Sequence, residues 1–221
     1  MTHQRPDVPA AVSLSLEGLD TGDAAGLGPG DEREAELLTV RSAPELDWTR
    51  VTLRECQVQI VGVARWLVDR SRLLECRLLD LDVTVLRARD VQWRTVEIVG
   101  GRLPALDLAG ATWDAVGVTG ARLGYVNLRD ATLTDVAFTD CRIETLDLGA
   151  ATAVRVSLRD CTVDELIVTR ATLRDVDLRA ARIELVEGVA HLTGATVSAD
   201  QLLELAPALA AALGIAVAPD D

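Results

Sequence analysis

From Leu53 to Ile183 every fifth residue is apolar, without a miss. The register begins Leu53, Val58, Val63, Val68, Leu73 and closes Val163, Val168, Leu173, Leu178, Ile183. Two places before each stands a second apolar or small residue, with Ser71 the one hydroxyl of that series. A helix repeats every 3.6 residues and a plain strand every two, so neither produces a strict period of five. A fixed internal period marks a solenoid, in which each unit buries its apolar face against the next. Each five-residue unit therefore points two side chains inward and three outward. By this register Leu148 faces the core, Gly149 lies outward and open, and Trp93 and Trp113 stack inside.

A second period gives the number of units per coil. Thr112, Thr132, Thr152 and Thr172 lie twenty apart, as do Arg102, Arg122 and Arg142, and Asp107, Asn127 and Asp147. Four units then make one coil. About seven coils at the parallel-strand spacing of about 4.8 Å give a rod about 33 Å long.

Val126-Asn127-Leu128-Arg129-Asp130, Leu146-Asp147-Leu148-Gly149-Ala150 and Val176-Asp177-Leu178-Arg179-Ala180 carry a small or branched residue, then Asp or Asn, then Leu. At these units the chain resembles the pentapeptide-repeat family. The resemblance implies an all-β solenoid over residues 46–190, a right-handed four-sided parallel β-helix, and it leaves activity open. Many units depart from the family at the second position, which holds Thr or Arg. Before Gly100 the alternation of small and branched residues decays, so the first coils are expected to be less regular. Gly100-Gly101 and Pro104 mark a soft spot, expected to bend the coil without dividing it.

Residues 1–45 stand outside the repeat. Val12-Ser13-Leu14-Ser15-Leu16 alternates like a short strand, Gly18 to Gly30 is a glycine-rich acidic loop, and Asp31 to Val40 has the pattern of a short amphipathic helix. Together they are expected to cap the first coil, whose open backbone edge would otherwise pair with another chain. Gly26-Leu27-Gly28-Pro29-Gly30 lacks the Gly-Lys-Ser/Thr ending of a phosphate loop and is taken as a plain loop. Residues 191–221 form the other end: a last strand from His191 to Val197, then a helix opened by a Ser198/Gln201 capping box and stopped at Gly214. Pro207 is expected to kink or split that helix. Its leucines Leu202, Leu205, Leu209 and Leu213 suit a cap over the last coil. The resemblance implies another use, a homodimer contact, since gyrase-binding members of the family join through a C-terminal helix.

No Ser-His-Asp or Cys-His grouping is visible, so the chain is expected to be no enzyme. Cys56, Cys76, Cys141 and Cys161 all occupy inward small-residue positions with no histidine in register, which predicts buried thiols and neither a metal nor a cofactor. The opening Met-Thr-His-Gln-Arg-Pro-Asp-Val-Pro lacks the apolar run of an export leader, and no stretch is long and apolar enough for a membrane helix. A soluble, cytoplasmic protein without membrane contact is expected. All 22 basic residues are arginine, and the net charge of −13 opposes direct binding to nucleic acid.

Two binding functions remain, a protein-protein interaction scaffold of unknown partner or, as the resemblance implies, a DNA mimic that occupies DNA gyrase and confers drug or toxin resistance. Their candidate surface is the outward acids Asp130, Asp135, Asp140, Asp160 and Asp175. Charge distribution separates the two. Residues 1–45 carry nine acids and three arginines, residues 189–221 four acids and no arginine, and the coil between them 22 acids and 19 arginines. Duplex DNA has one charge per about 1.7 Å, so a mimic about 33 Å long would show about twenty negative charges. A coil at net −3 falls far short of that, which favours the scaffold.

Overall fold

The computed structural model describes residues 6–10 and 12–217. Met1–Arg5 and Ala218–Asp221, parts of the two expected end segments, lie outside the described residues. Strands wind into a single parallel sheet of about nine turns, against the seven expected. Pairing is at an offset of twenty from Leu37↔Gln57 through Leu166↔Val186, apart from the local shifts Val61↔Asp82 and Arg159↔Ala180, so the twenty-residue columns stack as the sequence implied. Thr112, Thr132, Thr152 and Thr172 are direct neighbours, as are Arg102, Arg122 and Arg142.

The inward columns form one core, with Leu53, Leu78, Leu108, Val136, Leu148 and Val163 all buried. Trp93 and Trp113 stack there with centroids 5.4 Å apart and planes 11° apart, while Trp48 and Trp66 meet edge to face at 5.4 Å. The cysteines are buried and free. Burial pushes the Cys76 thiol up to about 12, and the contact with Cys141, reinforced by burial, raises that of Cys161.

The fifth residue of each unit turns the corner. At three of the four corners it takes a positive φ, as at Arg70, Glu75 and Asp80. Asp, Asn and Gly tolerate that left-handed region best, which is why acids and glycines collect there. At the soft spot Gly101 has φ 100°, and an added Cβ would lie 2.5 Å from the Leu81 carbonyl oxygen. Strand pairing nonetheless runs through it, Asp82↔Arg102↔Arg122.

The N-terminal end differs from expectation. In place of a helix over Asp31–Val40 there are strands β1 (Asp20–Gly22), β2 (Glu32–Glu34) and β3 (Glu36–Asp47). β2 pairs with Thr52–Arg54 and β3 with Gln57–Leu67, so the solenoid begins well before residue 46. A strand satisfies the open N–H and C=O groups of that edge, which a helix cannot do. Arg33 and Glu36 stand where the apolar columns would continue and pair with each other at 3.6 Å. The loop before them places Ala24 and Leu27, both buried, over the core.

Val12–Leu16 is not a strand of the sheet either. It runs extended along the solenoid axis, crossing the outer surface of successive coils. The predicted alternation survives: Val12, Leu14 and Leu16 are half-buried while Ser13 and Ser15 are exposed.

At the C-terminal end only Ala195–Thr196 is a strand, pairing with Val176–Asp177, and His191 closes a 3-10 turn, Val189–His191, and is not a strand residue. Helix α1 (Ala199–Ala212) follows. Its capping box is formed: Gln201 N–H donates to Ser198 Oγ (3.1 Å) and Ser198 N–H to Gln201 Oε1 (2.7 Å). Pro207 does not split α1, because the carbonyl it leaves without an intrahelical donor, that of Leu203, lies at an exposed position. No helix of the described residues is long and apolar enough to cross a membrane.

Candidate protein-binding surfaces

The outward residues define four faces and four corners. The predicted acids are all corner residues: Asp130, Asp135, Asp140, Asp160 and Asp175 have φ between 52° and 56°. They do not form one surface. Asp140 and Asp160 stack on one corner, Asp135 and Asp175 share a second with Arg155 between them, and Asp130 stands on a third. Asp135 is taken up by a two-pronged ion pair, with Arg155 Nε and Nη2 each 2.6 Å from a carboxylate oxygen. That guanidinium holds the Asp135 carboxyl below the usual carboxylate range. Among the described residues Asp130, Asp140, Asp160 and Asp175 make no ion pair.

The face of Asp107, Asn127 and Asp147 carries the chain's most enclosed carboxylate. Asp147 is 1% exposed. It accepts from Tyr125 Oη (2.8 Å), Arg129 Nη1 (3.0 Å) and the Gly149 N–H (2.8 Å). Burial, then the bond to Asp147, pushes the Tyr125 phenol up. This network covers Gly149, where an added Cβ would meet Arg129 Nη1 at 2.9 Å. Gly149 is buried, contrary to the open position expected from the register. Asn127 Nδ2 donates to Asp107 (3.0 Å), which also pairs with Arg89 (2.6 Å). Asp107 and Asp147 are thus neutralised by their own neighbours.

Helix α1 buries none of its residues. It is attached by Gln201, whose Nε2 donates to the carbonyls of Leu178 (2.8 Å) and Ala181 (2.7 Å) on the last coil. Leu205 and Leu209 are half-buried, whereas Leu202, Leu203 and Leu213 are 49%, 74% and 74% exposed. The predicted leucines therefore divide between the two sides of the helix.

The surface that sequence reasoning missed is the face of Arg77, Glu97, Gly117, Ala137 and Ser157, under the extended segment before β1. Arg77 Nε pairs with Glu97 Oε2 at 2.6 Å. The same two side chains hold the Leu14 backbone, its N–H donating to Glu97 Oε1 (3.0 Å) and its C=O accepting from Arg77 Nη2 (2.5 Å). The Arg77/Glu97 twenty-residue spacing was a signal for the pair. Nothing in the sequence pointed to Leu14 as its occupant.

The described residues hold no group of three His, Cys, Asp or Glu side chains placed to bind a metal ion. The ion pairs on the faces are partly exposed, as Arg77–Glu97 and Arg155–Asp135 are.

No family model matches the chain, and no curated protein does. Among solved structures it is similar to HetL, a pentapeptide repeat protein involved in heterocyst differentiation regulation from the cyanobacterium Nostoc. That superposition covers 79% of this chain and 93% of HetL at 16% identity, with a TM-score of 0.36. It is also similar to two trypsin-treated variants of QnrB1, a plasmid-mediated fluoroquinolone resistance protein. These cover 87% and 86% of this chain and 100% and 99% of theirs, at 15% and 16% identity, both with a TM-score of 0.28. At such values the fold rests on the chain's own strand register.

Proposed function

We propose that this pentapeptide-repeat solenoid is a non-enzymatic scaffold that holds a protein partner against its faces. One observation carries the reading: the five candidate acids are dispersed over three corners, and Asp107 and Asp147 are neutralised in place by Arg89 and Arg129. A phosphate track needs unpaired negative charge in one line. Tagged full-length protein passed through a native cytoplasmic extract should retain a protein that survives nuclease treatment; retention only of nucleic acid would sink the reading.

The DNA-mimic alternative draws on Asp140 and Asp160, stacked on one corner without an ion pair, and on the net charge of −13. Purified protein should leave gyrase supercoiling unchanged at micromolar concentration in moderate salt. Inhibition that disappears in Asp140→Arg with Asp160→Arg would replace the scaffold by the mimic. The fold should survive this change, because Arg70, Arg155 and Arg170 already adopt the same positive φ.

A homodimer through α1 is favoured by the exposed stripe of Leu202, Leu203 and Leu213, with the inner side of the helix reserved for the cap. Light scattering should show a dimer that Leu202→Glu with Leu213→Glu converts to a stable monomer.

A further inference from the structure

The described residues of the segment from Asp7 to Leu19, here the arm, lie across successive coils. Its contacts follow the axis in order. An added Cβ on Gly117 would lie 3.6 Å from Val12 Cβ. The Leu14 backbone is held by Arg77 and Glu97, and Leu16 lies beside Glu55. From the coil of Gly117 to that of Glu55 is three coil steps, about 14 Å at the sheet spacing. Four residues of extended chain span about 13 Å, so a nearly straight run from Val12 to Leu16 fits the distance.

The face beneath is shaped for this occupant. Its first outward column is long and polar at Gln57, Arg77, Glu97 and Asp177, where Arg77 and Glu97 clasp the Leu14 backbone, and shrinks to Gly117, Ala137 and Ser157, with Gly117 beneath Val12. Its second column becomes apolar or β-branched at Leu79, Val99, Thr119 and Thr139. Ser157 points outward by its place in the repeat and is still only 4% exposed, and Pro9 of the arm is buried. Arg77 and Glu97 present one donor and one acceptor to a single residue's C=O and N–H, as the edge of a strand would. They recognise backbone and leave the side chains of the occupant to the groove.

The arm is not needed to close the end of the solenoid. The loop carrying Ala24 and Leu27 does that, and the arm touches no inward column. Val12, Leu14 and Leu16 are only half-buried, and the arm joins β1 through Glu17–Gly18–Leu19, where Gly18 has φ 68° and open space around it. We infer that this face is a groove for an extended peptide, filled in cis by the chain's own arm, and that its occupant in trans is a partner segment of the same chemistry. That segment is strand-like, with small or branched apolar residues at every second position. This rests on the scaffold reading and names the surface it uses.

The test uses the full chain. Val12→Asp with Leu14→Asp should lift the arm off in place, and a fluorescent synthetic peptide of residues 6–17 is then titrated in. Fluorescence anisotropy should show saturable binding at micromolar concentration. Binding to the unaltered protein should be at least about tenfold weaker, because the tethered arm competes at a high effective concentration. Adding Gly117→Trp, which fills the floor, should remove binding while the far-ultraviolet circular dichroism of the coil is kept. Should the double variant lose that signal, hydrogen exchange on the unaltered protein replaces it: excess peptide should deprotect Leu14 and leave the coil amides protected. No binding by the lifted-arm protein, or equal binding after Gly117→Trp, would overturn the groove. Concentration-dependent dimers of the unaltered protein that vanish in Val12→Asp with Leu14→Asp would overturn the separate partner and make a second copy's arm the occupant.

Discussion

The two ends of the solenoid face the same problem and solve it differently. Each coil end exposes a row of backbone groups and an open cross-section of core. At the N-terminal end the shortened coil of β1, offset by sixteen residues from β3, supplies the backbone partners, and Ala24 and Leu27 enter the core as a plug. At the C-terminal end α1 supplies hydrogen bonds, chiefly from Gln201, half-buries Leu205 and Leu209, and leaves Leu202, Leu203 and Leu213 outside. Covering a core and satisfying an edge are separable tasks. The N-terminal end does both from one segment, whereas α1 bonds two carbonyls of the last coil through one side chain, covers the core only in part and keeps an apolar side free.

Substitutions can break or sharpen this contrast, and the middle of the rod sets the scale. Leu148→Arg places an unpaired charge in the inward column and should cost about 4 kcal/mol or more, enough to unfold the chain. Thr132→Arg, outward in a column that already holds Arg72, should change stability by about 0.5 kcal/mol or less in urea titration. Equal losses would refute the register itself. At the N-terminal end Leu27→Ala should cost about 2–3 kcal/mol as a buried leucine, against less than about 0.5 kcal/mol for Leu203→Ala on α1. If the two cost the same, the ends are not different in kind. Gln201→Ala removes half of the capping box and two donors to the last coil. It should cost about 1–2 kcal/mol and, in hydrogen exchange, deprotect α1 before any coil strand.

The smallest effect is acid sensitivity. Hydrogen bonds from the Thr49 side chain and N–H hold the Asp47 carboxyl low near one end, and the Arg179 guanidinium does so for Asp177 near the other. A carboxyl whose folded value is depressed adds stability above its unfolded value and loses it as pH falls through the folded one, which places the loss below about pH 4. Asp177→Asn should flatten the acid limb of a stability-versus-pH curve. An unchanged limb would mean that Arg179 contributes nothing to the last coil.

The core was legible because its rule is steric and repeats: an inward position admits only an apolar or small side chain, so the columns from Leu53 to Ile183 appear in one dimension. The first coils were illegible for the same reason in reverse. Arg33 and Glu36 occupy inward positions at the margin of the core, where pairing with each other substitutes for apolarity, and the pattern stops there though the strands do not. The candidate acids were misjudged as a surface because an aspartate at the fifth place reports a left-handed corner before it reports charge. The Ser198/Gln201 box was legible from local spacing, while the further bonds of Gln201 to Leu178 and Ala181, and those of Asp147 to Tyr125 and Arg129, depend on which coils become neighbours. The arm kept its predicted alternation, but what it alternates against lies about 105 residues away, at Gly117.

The placement of the indoles makes the rod its own optical reporter. Trp48, Trp66, Trp93 and Trp113 are all buried, and all lie in the first 113 residues. Beyond them the aromatic complement is one tyrosine and one phenylalanine, Tyr125 and Phe138. Tryptophan emission therefore watches only the N-terminal half, while the amide absorption of the strands watches the whole length. In a molecule whose coils contact only their neighbours, unwinding can begin at either end and travel. If it begins at α1, the amide signal moves first and the emission lags; if it begins at the plug, the order reverses. Coincident transitions mean that about nine turns melt as one.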